Sequence, residues 1–437
     1  MRTAIVLFTR DLRVHDNLAL STAAREAERV VPLFVFDDAI LGSAFARPNR
    51  VAFLLDALRD LDASLTERGA RLVLRSGDVV AETLALARDS GAEAVFVAED
   101  ASGYAQRRQQ RLEEACSRDR IVLRVTPGVT VAPLLSIETS SGGHYRVFTP
   151  FYRAWSRAPR RPVESAPRRL SMPAGVSQGR LPARTRLVAG SPSPELPLGG
   201  ETAGRRKLSA WLRSGVAAYE AGHDDLESDA TSRLSPYLHF GCISPLEVAL
   251  RAGEVAGAAP FVRQLAWRDF FHQLLAARPE TAHEDMRPRG DRRDGCNDAL
   301  EAWKNGETGF PIVDAGMRQL LREGYMHNRA RLITASFLVH DLRVDWRAGA
   351  RHFFDWLVDG DVANNVGNWQ WVAGTGANPR PGRGFNPIRQ ARRFDPNGTY
   401  VRRNVPELAT IEGSAVHEPW KLRENTNGYP TPIVERT

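Results

Sequence analysis

Short apolar runs alternate with amphipathic stretches over the first 150 residues. We predict strands at residues 3–8, 31–36, 71–75, 94–98 and 121–125, where β-branched and aromatic residues cluster. Residues 49–68 and 79–90 place apolar side chains three and four positions apart, which predicts two helices between strands. This alternation is typical of an α/β domain built on a Rossmann-like open parallel sheet.

The pattern changes further along the chain. Residues 156–200 are rich in Arg, Pro and Ser and lack sustained periodicity, whereas long helical patterns begin near residue 201. We therefore predict an α/β domain at 1–130, a connection at 131–200 and an all-α domain at 201–437. Eight of the nine Trp lie in the last segment, and Trp369-Gln370-Trp371 follows a polar run, which favours a ligand pocket there.

The composition narrows the class of protein. The chain has 437 residues, 43% hydrophobic and 25% charged, which excludes a disordered or collagen-like protein. No apolar run approaches the roughly 18 residues of a membrane span. Residues 1–8 are expected to form a strand rather than a signal peptide, so we expect a cytoplasmic protein. The three cysteines are far apart and form no Cys/His cluster, so neither a disulfide framework nor a metal site is expected.

Positive charge is unevenly distributed. The formal net charge is +7, and residues 151–200 hold 9 basic and 2 acidic residues, although a basic connection is usually just solvated. In residues 380–403, seven Arg accompany a single acid and are interleaved with Phe and Tyr. Basic side chains mixed with aromatic ones are what a surface that follows nucleic-acid phosphates needs.

Three short stretches carry candidate chemistry. Residues 231–236 have the hydroxyl groups of either a plain helix cap or an anion-binding helix entry. Arg329 and Arg331 are too close in sequence to share one helix face fully, so one can serve a phosphate and the other a buried partner. Asp359 and Asp361 have no third ligand at suitable spacing, which favours hydrogen bonds to a polar heterocycle over a Mg²⁺ site.

No Gly-x-Gly-x-x-Gly follows the first predicted strand, and residues 8–17 stand there instead. Dinucleotide binding of the usual Rossmann kind is therefore not expected.

Residues 8–17 belong to a series of sequence blocks that occur in order along nearly the whole chain. These blocks closely resemble those of the photolyase/cryptochrome family, and those of class I cyclobutane pyrimidine dimer photolyases most of all. The blocks are residues 8–17, 231–241, 267–271, 309–318, 326–329, 359–361, 386–387 and 405–408.

The resemblance implies an α/β domain for an antenna chromophore and an all-α domain that holds FAD. It implies that light excites reduced FAD, which donates an electron to a cyclobutane pyrimidine dimer in ultraviolet-damaged DNA, and that the dimer splits before the electron returns. Enzymes of this kind extrude the damaged bases from the duplex. We expect a monomer that acts on damaged DNA.

The cofactor residues that the resemblance implies include Asn365, at the position that contacts the flavin nitrogen whose protonation separates the radical states. Plant cryptochromes carry an acid there, so an amide is the photolyase-like choice. Arg331 is expected to pair with Asp359 beside the flavin. The full FAD-binding set is Tyr219, Thr231, Ser232, Arg233, Leu234, Ser235, Arg331, Asp359, Asp361 and Asn365.

Further roles follow from the same resemblance. Trp267 and Trp371 match the walls of the dimer pocket, and four other residues match DNA contacts, namely Gln264, Asn328, Arg329 and Gln390. Trp369 and Trp346 match the inner members of an electron-transfer chain, whose outer position falls on Arg293. An Arg side chain cannot be oxidised, so we expect normal repair by reduced enzyme but slow photoreduction, unless Trp303, Trp356 or Tyr325 substitutes as terminal donor.

Some positions depart from the family pattern. Gln264 stands where many members have Glu, His223 where an Arg would contact DNA, and Leu332 where Met is common in the dimer pocket. A (6-4) photolyase would need two His at Asn328 and Leu332 for proton transfer, so cyclobutane repair is preferred. The alternatives are that enzyme, a cryptochrome-like photoreceptor without repair and, outside the family, a helical electron-transferring flavoprotein.

The antenna prediction rests on two segments. Residues 36–38 and 100–108 resemble those that line an 8-hydroxy-5-deazaflavin site, in which Tyr104 and Arg107 or Arg108 would contact the chromophore. Methenyltetrahydrofolate or an empty site are the alternatives.

Overall fold

A five-stranded parallel sheet forms the amino-terminal part of the computed structural model, which describes residues 1–289, 295–377, 384–422 and 426–435. The strand order is β3-β2-β1-β4-β5, so β1 is central. All five predicted strands are confirmed within a few residues at each end. Their bounds are β1 Thr3–Leu7, β2 Arg29–Asp37, β3 Val73–Gly77, β4 Ala94–Ala98 and β5 Val122–Thr126.

Burial explains why these segments are strands. Every residue of β1 and β4 is buried, as expected for central strands that are covered on both faces. Ile5 lies opposite Val31 on one side and Val95 on the other, so β-branched side chains pack in a row across the sheet. β5 is one of the two edge strands and is mostly exposed.

Five helices accompany the sheet, and the two predicted ones are confirmed as α3 and α4. Asp78 caps α4 by accepting hydrogen bonds from two backbone N–H groups, and Gly91 ends it in the left-handed conformation. The sequence pattern did not reveal α1 or α5. The bounds are α1 Leu18–Glu26, α2 Asp38–Leu41, α3 Pro48–Thr66, α4 Val79–Ser90 and α5 Gly103–Arg118.

The longer regular elements of the remaining described chain are helices. The longer helices include α12, with 19 residues, and α14, with 13. The bounds are α6 Phe148–Arg157, α7 Arg184–Leu187, α8 Glu201–Ser214, α9 Tyr219–Gly222, α10 Ser235–His239, α11 Pro245–Gly253, α12 Ala259–Ala277, α13 Asn297–Asn305, α14 Pro311–Glu323, α15 Asn328–Ser336, α16 Trp346–Trp356, α17 Val362–Ala373, α18 Pro387–Phe394 and α19 Thr399–Asn404. The α/β sheet followed by helices confirms the predicted fold class.

The chain divides into two compact units. The first unit comprises Met1–Ser191, Pro197–Ala217 and Ser232–Pro279, and the second comprises Pro192–Leu196, Ala218–Thr231 and Glu280–Thr437. The sheet and helices α10 to α12 thus belong to the first unit, and α13 to α19 to the second. The domain boundaries expected at residues 130 and 200 stay a prediction.

Residues 8–17, which the sequence singles out, pack against the turn that follows α10 in the first unit. The buried Arg13 donates hydrogen bonds to the carbonyl oxygens of Gly241, Gly128 and Asp16. Gly241 has φ +65°, and a Cβ there would lie 1.9 Å from the carbonyl oxygen of Arg10, so only glycine fits. This stretch therefore has a structural role in joining the sheet to α10.

The core of the second unit surrounds α14 to α17. Trp303, Trp346 and Trp369 are each at least 98% buried in it. No helix in the described ranges is long and apolar enough to cross a bilayer.

Candidate functional site

A buried ion pair joins α15 to the loop before α17 in the second unit. Arg331 Nη2 donates to Asp359 Oδ2 over 2.8 Å, and Arg331 Nε donates to the Met326 carbonyl over 2.8 Å. The Asp359 side chain is only 3% exposed. Burial lowers the pKa of Arg331, but the Asp359 carboxylate outweighs burial and raises it, so the guanidinium stays protonated. This is the pair that the sequence predicts beside the flavin.

The start of α17 positions an amide and a carboxylate. Asp361 caps the helix by accepting from the Asn364 backbone N–H over 2.9 Å. One turn later, Asn365 Nδ2 donates to the Ala350 carbonyl of α16 over 2.9 Å. This bond fixes the orientation of the amide and, within the described chain, leaves Asn365 Oδ1 without a hydrogen-bond donor. A fixed acceptor of this kind fits the ring N–H group of a reduced flavin.

The predicted electron-transfer residues are buried in the same unit. Trp369 lies on α17 against Gly349 of α16, where a Cβ would approach its ring to 2.2 Å. Trp346 donates from Nε1 to Asp285 Oδ1 over 2.9 Å and lies under the Arg347 guanidinium. Trp303 approaches Trp369 with a ring-centroid distance of 6.2 Å. The outer position, Arg293, lies outside the described residues.

Arg329, predicted to contact DNA, is already held by two groups in the second unit. Its Nε donates to Asp224 Oδ1 over 3.0 Å, and its Nη2 donates to the other oxygen. Its guanidinium also stacks on Phe394 of α18, with 4.3 Å to the ring centroid. Asp224 and Phe394 thus fix the plane of the guanidinium. The sequence predicts Arg329 as a DNA contact but does not reveal these two partners.

The other predicted DNA contacts of this unit differ in exposure. Asn328 is exposed at the start of α15, and Trp371 is half-buried against the core. Gln390 lies on α18, and its Oε1 is a buried atom with no hydrogen-bond partner in the described chain. An unpartnered buried acceptor is costly unless a ligand or water completes it.

The hydroxyl-rich stretch predicted to bind the cofactor spans both units. In the second unit, Thr231 Oγ1 donates to Asp229 Oδ1 over 3.2 Å. In the first unit, Ser232 Oγ accepts from the Leu234 backbone N–H over 3.3 Å, and Arg233 has φ +49°. A non-glycine residue in the left-handed region is strained, and such strain is concentrated at ligand-binding loops.

Two further residues predicted to bind the cofactor are Ser235, at the end of this stretch, and Tyr219, which precedes it. Ser235 begins α10 in the first unit, with Pro236 in its first turn. Tyr219 begins α9 in the second unit, and burial raises the pKa of its hydroxyl, which therefore stays protonated at neutral pH.

Trp267 of α12 stacks face to face on Phe148 of α6 in the first unit. The ring centroids are 3.6 Å apart and the planes differ by 8°. Trp267 is only partly buried, and Gln264, one turn earlier on the same helix, is exposed. The stack supports the Trp267 ring from one side, as a rigid wall for a planar ligand requires.

A polar cluster lies at the carboxyl edge of the sheet in the first unit. Tyr104 of α5 donates a hydrogen bond to the Asp37 carboxylate, and burial raises the pKa of that carboxyl. Arg108 is buried, which lowers its pKa, while Asp100 and Asp37 oppose the shift. Arg107 is exposed instead. Ligands of open α/β sheets bind at this edge, so Tyr104 and Arg108 lie where a polar heterocycle could be hydrogen-bonded.

Several residues that contact the predicted site residues could not be predicted from sequence. Asp224, Asp285 and Phe148 are far along the chain from the residues they contact, and only the fold brings them together. No group of three or more His, Cys, Asp or Glu that could hold a metal occurs in the part of the chain that the structure describes.

Comparison with known proteins is consistent with this geometry. Residues 4–168 match the DNA photolyase family model, and residues 261–437 match the FAD-binding domain of DNA photolyase. The chain is 52% identical to a deoxyribodipyrimidine photo-lyase of Streptomyces griseus over 442 residues, which covers 100% of this chain and 97% of the relative.

Comparison with solved structures indicates the same family. A bacterial class III photolyase from Agrobacterium tumefaciens matches with a TM-score of 0.92 at 34% identity, over 100% of this chain and 95% of that one. An archaeal photolyase from Sulfolobus tokodaii, solved with two FAD molecules, matches with a TM-score of 0.87 at 33% identity, over 99% of this chain and 96% of that one. The chain therefore carries an FAD-binding domain and belongs to the photolyase/cryptochrome family, as its sequence motifs indicate.

Proposed function

We propose that this protein repairs cyclobutane pyrimidine dimers in ultraviolet-damaged DNA, driven by light, as a deoxyribodipyrimidine photo-lyase. The observation that carries the proposal is the pair of partly exposed tryptophans, Trp267 and Trp371, each supported by packing within its own unit. Apolar aromatic faces hold extruded bases by stacking. The 52% identical Streptomyces griseus relative carries the name of this activity.

FAD is the cofactor that this function requires. When bound and reduced, FAD supplies the photoexcited electron that splits the cyclobutane ring. Asn365 offers an oriented carbonyl oxygen to a flavin N–H group, because Ala350 holds the other end of its amide. Arg331 and Asp359 keep a fixed, balanced charge beside the site, and the polar atoms of Tyr219 and residues 231–235 hold the rest of the cofactor.

The DNA contacts divide by chemistry. Arg329 presents a guanidinium for a backbone phosphate, in a plane fixed by Asp224 and Phe394. Asn328, Gln264 and Gln390 offer amides that hydrogen-bond base edges or the backbone. Gln264 carries no charge where many members have Glu, so its role is limited to hydrogen bonding.

The pocket residues favour cyclobutane repair over repair of (6-4) products. A (6-4) photolyase moves a proton as well as an electron, and a His general acid or base provides that transfer. Asn328 and Leu332 hold the two positions that those His would occupy, and neither titrates. A photoreceptor without repair is the second candidate, since family members of that kind share the fold and the cofactor.

We propose 8-hydroxy-5-deazaflavin as the antenna chromophore, held by Tyr104 and Arg108 at the sheet edge. The Tyr104 phenol and the Arg108 guanidinium are groups that hydrogen-bond the oxygen atoms of a planar heterocyclic chromophore. Methenyltetrahydrofolate is the alternative, and the two FAD molecules of the Sulfolobus tokodaii relative add a flavin to the chromophores worth testing. Mass spectrometry of protein expressed in a host that makes the deazaflavin identifies the occupant, and a folate or flavin alone would overturn this assignment.

The repair proposal is tested with three oligonucleotides that carry a cyclobutane thymine dimer, a (6-4) product or no damage. Reduced, FAD-loaded protein is illuminated with blue or near-ultraviolet light, and the products are separated by chromatography. We expect loss of the cyclobutane dimer alone, and only in the light. Tight binding of the dimer without its loss would support a photoreceptor, and loss of the (6-4) product would show that the pocket interpretation is wrong.

A further inference from the structure

A cleft of about 560 Å³ opens at the amino edge of the sheet in the first unit. Part of its wall comes from the end of α3, just before β3, and part from a segment that leads to Ser171, whose carbonyl accepts from the Val30 N–H at the start of β2. The cluster around Tyr104 lies at the opposite, carboxyl edge. We call this space the amino-edge cleft, and it is lined by His15, Glu67, Arg68, residues 163–168, Arg205 and Glu247.

The segment that forms one wall of the amino-edge cleft is held at both ends. The Asp16 carboxylate accepts from the Glu164 N–H over 2.8 Å, and the Glu164 carbonyl accepts from the Asp16 N–H over 2.9 Å. At the other end, the Leu170 N–H donates to the Arg68 carbonyl over 2.6 Å. Gly69 has φ +94°, and a Cβ there would lie 2.7 Å from the Leu170 carbonyl oxygen. The cleft is therefore preformed, so a ligand does not have to order the chain in order to bind.

The acidic side chains that line the cleft already have basic partners. Glu67 lies 3.6 Å from Arg68, Glu164 accepts from Arg25 over 2.7 Å, and Glu247 accepts from Arg205 over 2.7 Å. Glu247 also accepts from Arg251 over 3.1 Å. Two guanidinium groups thus share one carboxylate, which leaves one positive charge in excess beside the cleft.

Three polar groups that line the cleft have no partner in the described chain. They are the exposed Arg168 guanidinium, the Ser165 hydroxyl and the His15 Nε2 atom. His15 Nδ1 lies 2.8 Å from Glu201 Oε1, and a carboxylate only accepts, so Nδ1 carries the proton and Nε2 of the neutral ring is an acceptor. A guanidinium without a carboxylate partner is open to a phosphate, and a ring nitrogen of this kind can accept from a ligand hydroxyl.

We propose that the amino-edge cleft binds a mononucleotide, with its phosphate on Arg168 and Arg205. The volume lies within the range of about 300–1,000 Å³ for small-molecule sites, and is far larger than a phosphate ion requires. Val163 is 40% exposed and, with Pro167, offers an apolar surface to the base, while His15 Nε2 accepts from a ribose hydroxyl. None of the lining residues is assigned to FAD, the antenna or DNA, so this inference goes beyond the proposed function and does not depend on it.

The test measures binding of adenosine monophosphate to the full-length, FAD-loaded protein by calorimetry in the dark. Arg168→Ala removes the unpaired guanidinium, and Arg169→Ala removes a neighbouring arginine that is equally exposed and unpaired but does not line the cleft. We expect Arg168→Ala to lose about tenfold or more in affinity, because a hydrogen bond between charged groups is lost, and Arg169→Ala to keep it. Adenosine and inorganic phosphate should each bind more weakly than the nucleotide.

Other outcomes decide against the inference. Absence of nucleotide binding at millimolar concentration, or equal losses in the two variants, would overturn it. Equal affinity for inorganic phosphate and the nucleotide would show that the cleft recognises only an anion. Release of FAD during the titration would place the nucleotide in the cofactor site. A loss of affinity for undamaged duplex DNA in Arg168→Ala, with nucleotide binding unchanged, would make DNA the phosphate partner.

Two further measurements separate binding from folding and from repair. Arg168→Ala should unfold at the same temperature as the parent protein, since substitutions of unpartnered surface residues change stability little. Arg168→Lys keeps the charge without the planar fork, so its affinity should lie between those of the parent protein and Arg168→Ala. Because the titration uses neither light nor DNA, failure of dimer repair leaves the cleft proposal standing, and failure of nucleotide binding leaves the repair proposal standing.

Discussion

Removing the carboxylate of the buried pair, as Asp359→Asn, should destabilise the second unit and weaken FAD binding. Breaking a fully buried ion pair by removing one partner costs about 3–5 kcal/mol, because the remaining charge is left uncompensated. Here the Asp359 side chain is 3% exposed and that of Arg331 is 24% exposed, so water reaches part of the guanidinium. Arg331 also keeps its bond to the Met326 carbonyl. We therefore expect a loss of about 2–3 kcal/mol in the free energy of unfolding.

Glu407→Gln is the matched control. Arg318 donates to both Glu407 oxygens over 2.7 and 2.8 Å, in the same unit and with the same chemistry, but the Glu407 side chain is 31% exposed. Exposed pairs contribute about 0–1 kcal/mol, so this variant should lose no more than that. Urea unfolding of the flavin-free proteins gives the stabilities, and titration with FAD gives the affinities. Equal losses in both variants would show that the buried pair contributes no more than the exposed one, and an unchanged FAD affinity in Asp359→Asn would place the pair away from the cofactor.

Three further predictions concern the walls, the electron path and the pH dependence. Trp371→Ala should weaken binding of dimer-containing DNA by about 1–3 kcal/mol with FAD retained. Trp371→Phe should keep most of the affinity. Loss of FAD or of the fold in Trp371→Ala would show that Trp371 is a core residue. Arg293→Trp, at a position outside the described residues, should speed photoreduction of bound FAD without changing the repair yield of chemically reduced enzyme; fast photoreduction in the parent protein would place the outer donor elsewhere. Burial raises the pKa of Asp314 from about 3.8 to about 6 despite a hydrogen bond from Tyr429, so the folded state binds more protons and stability should fall as pH rises from 4 to 6. Asp314→Asn should flatten that slope in urea unfolding, and an unchanged slope would assign it to other groups.

The sheet is predictable from sequence because buried strands are continuous apolar runs. The segments predicted at 3–8 and 94–98 correspond to β1 and β4, whose residues are all buried. Helix α5 was missed because most of its residues are charged or polar, and only five of its 16 residues are buried. Helix α6 lies in the segment predicted as a connection, where its three buried aromatics are too few to establish a period.

The candidate site shows the same limit. Residues on one helix, such as Asp361 and Asn365, are related by helical spacing and can be placed from sequence. The partners that restrain the site residues cannot be placed in this way. The Ala350 carbonyl meets Asn365, Asp224 meets Arg329 and Asp285 meets Trp346 only through tertiary packing. Family motifs therefore locate the reacting positions, whereas the structure is needed to find the groups that orient them.

Light-driven dimer repair by this protein can be measured with one oligonucleotide that contains a single cyclobutane thymine dimer. Reduced, FAD-loaded protein is mixed with it, half of the sample is illuminated, and both halves are analysed by mass-resolved chromatography after digestion. We predict restored thymines in the illuminated half and an intact dimer in the dark half. An intact dimer in both halves, with the DNA shown to be bound and FAD shown to be reduced, would contradict the account.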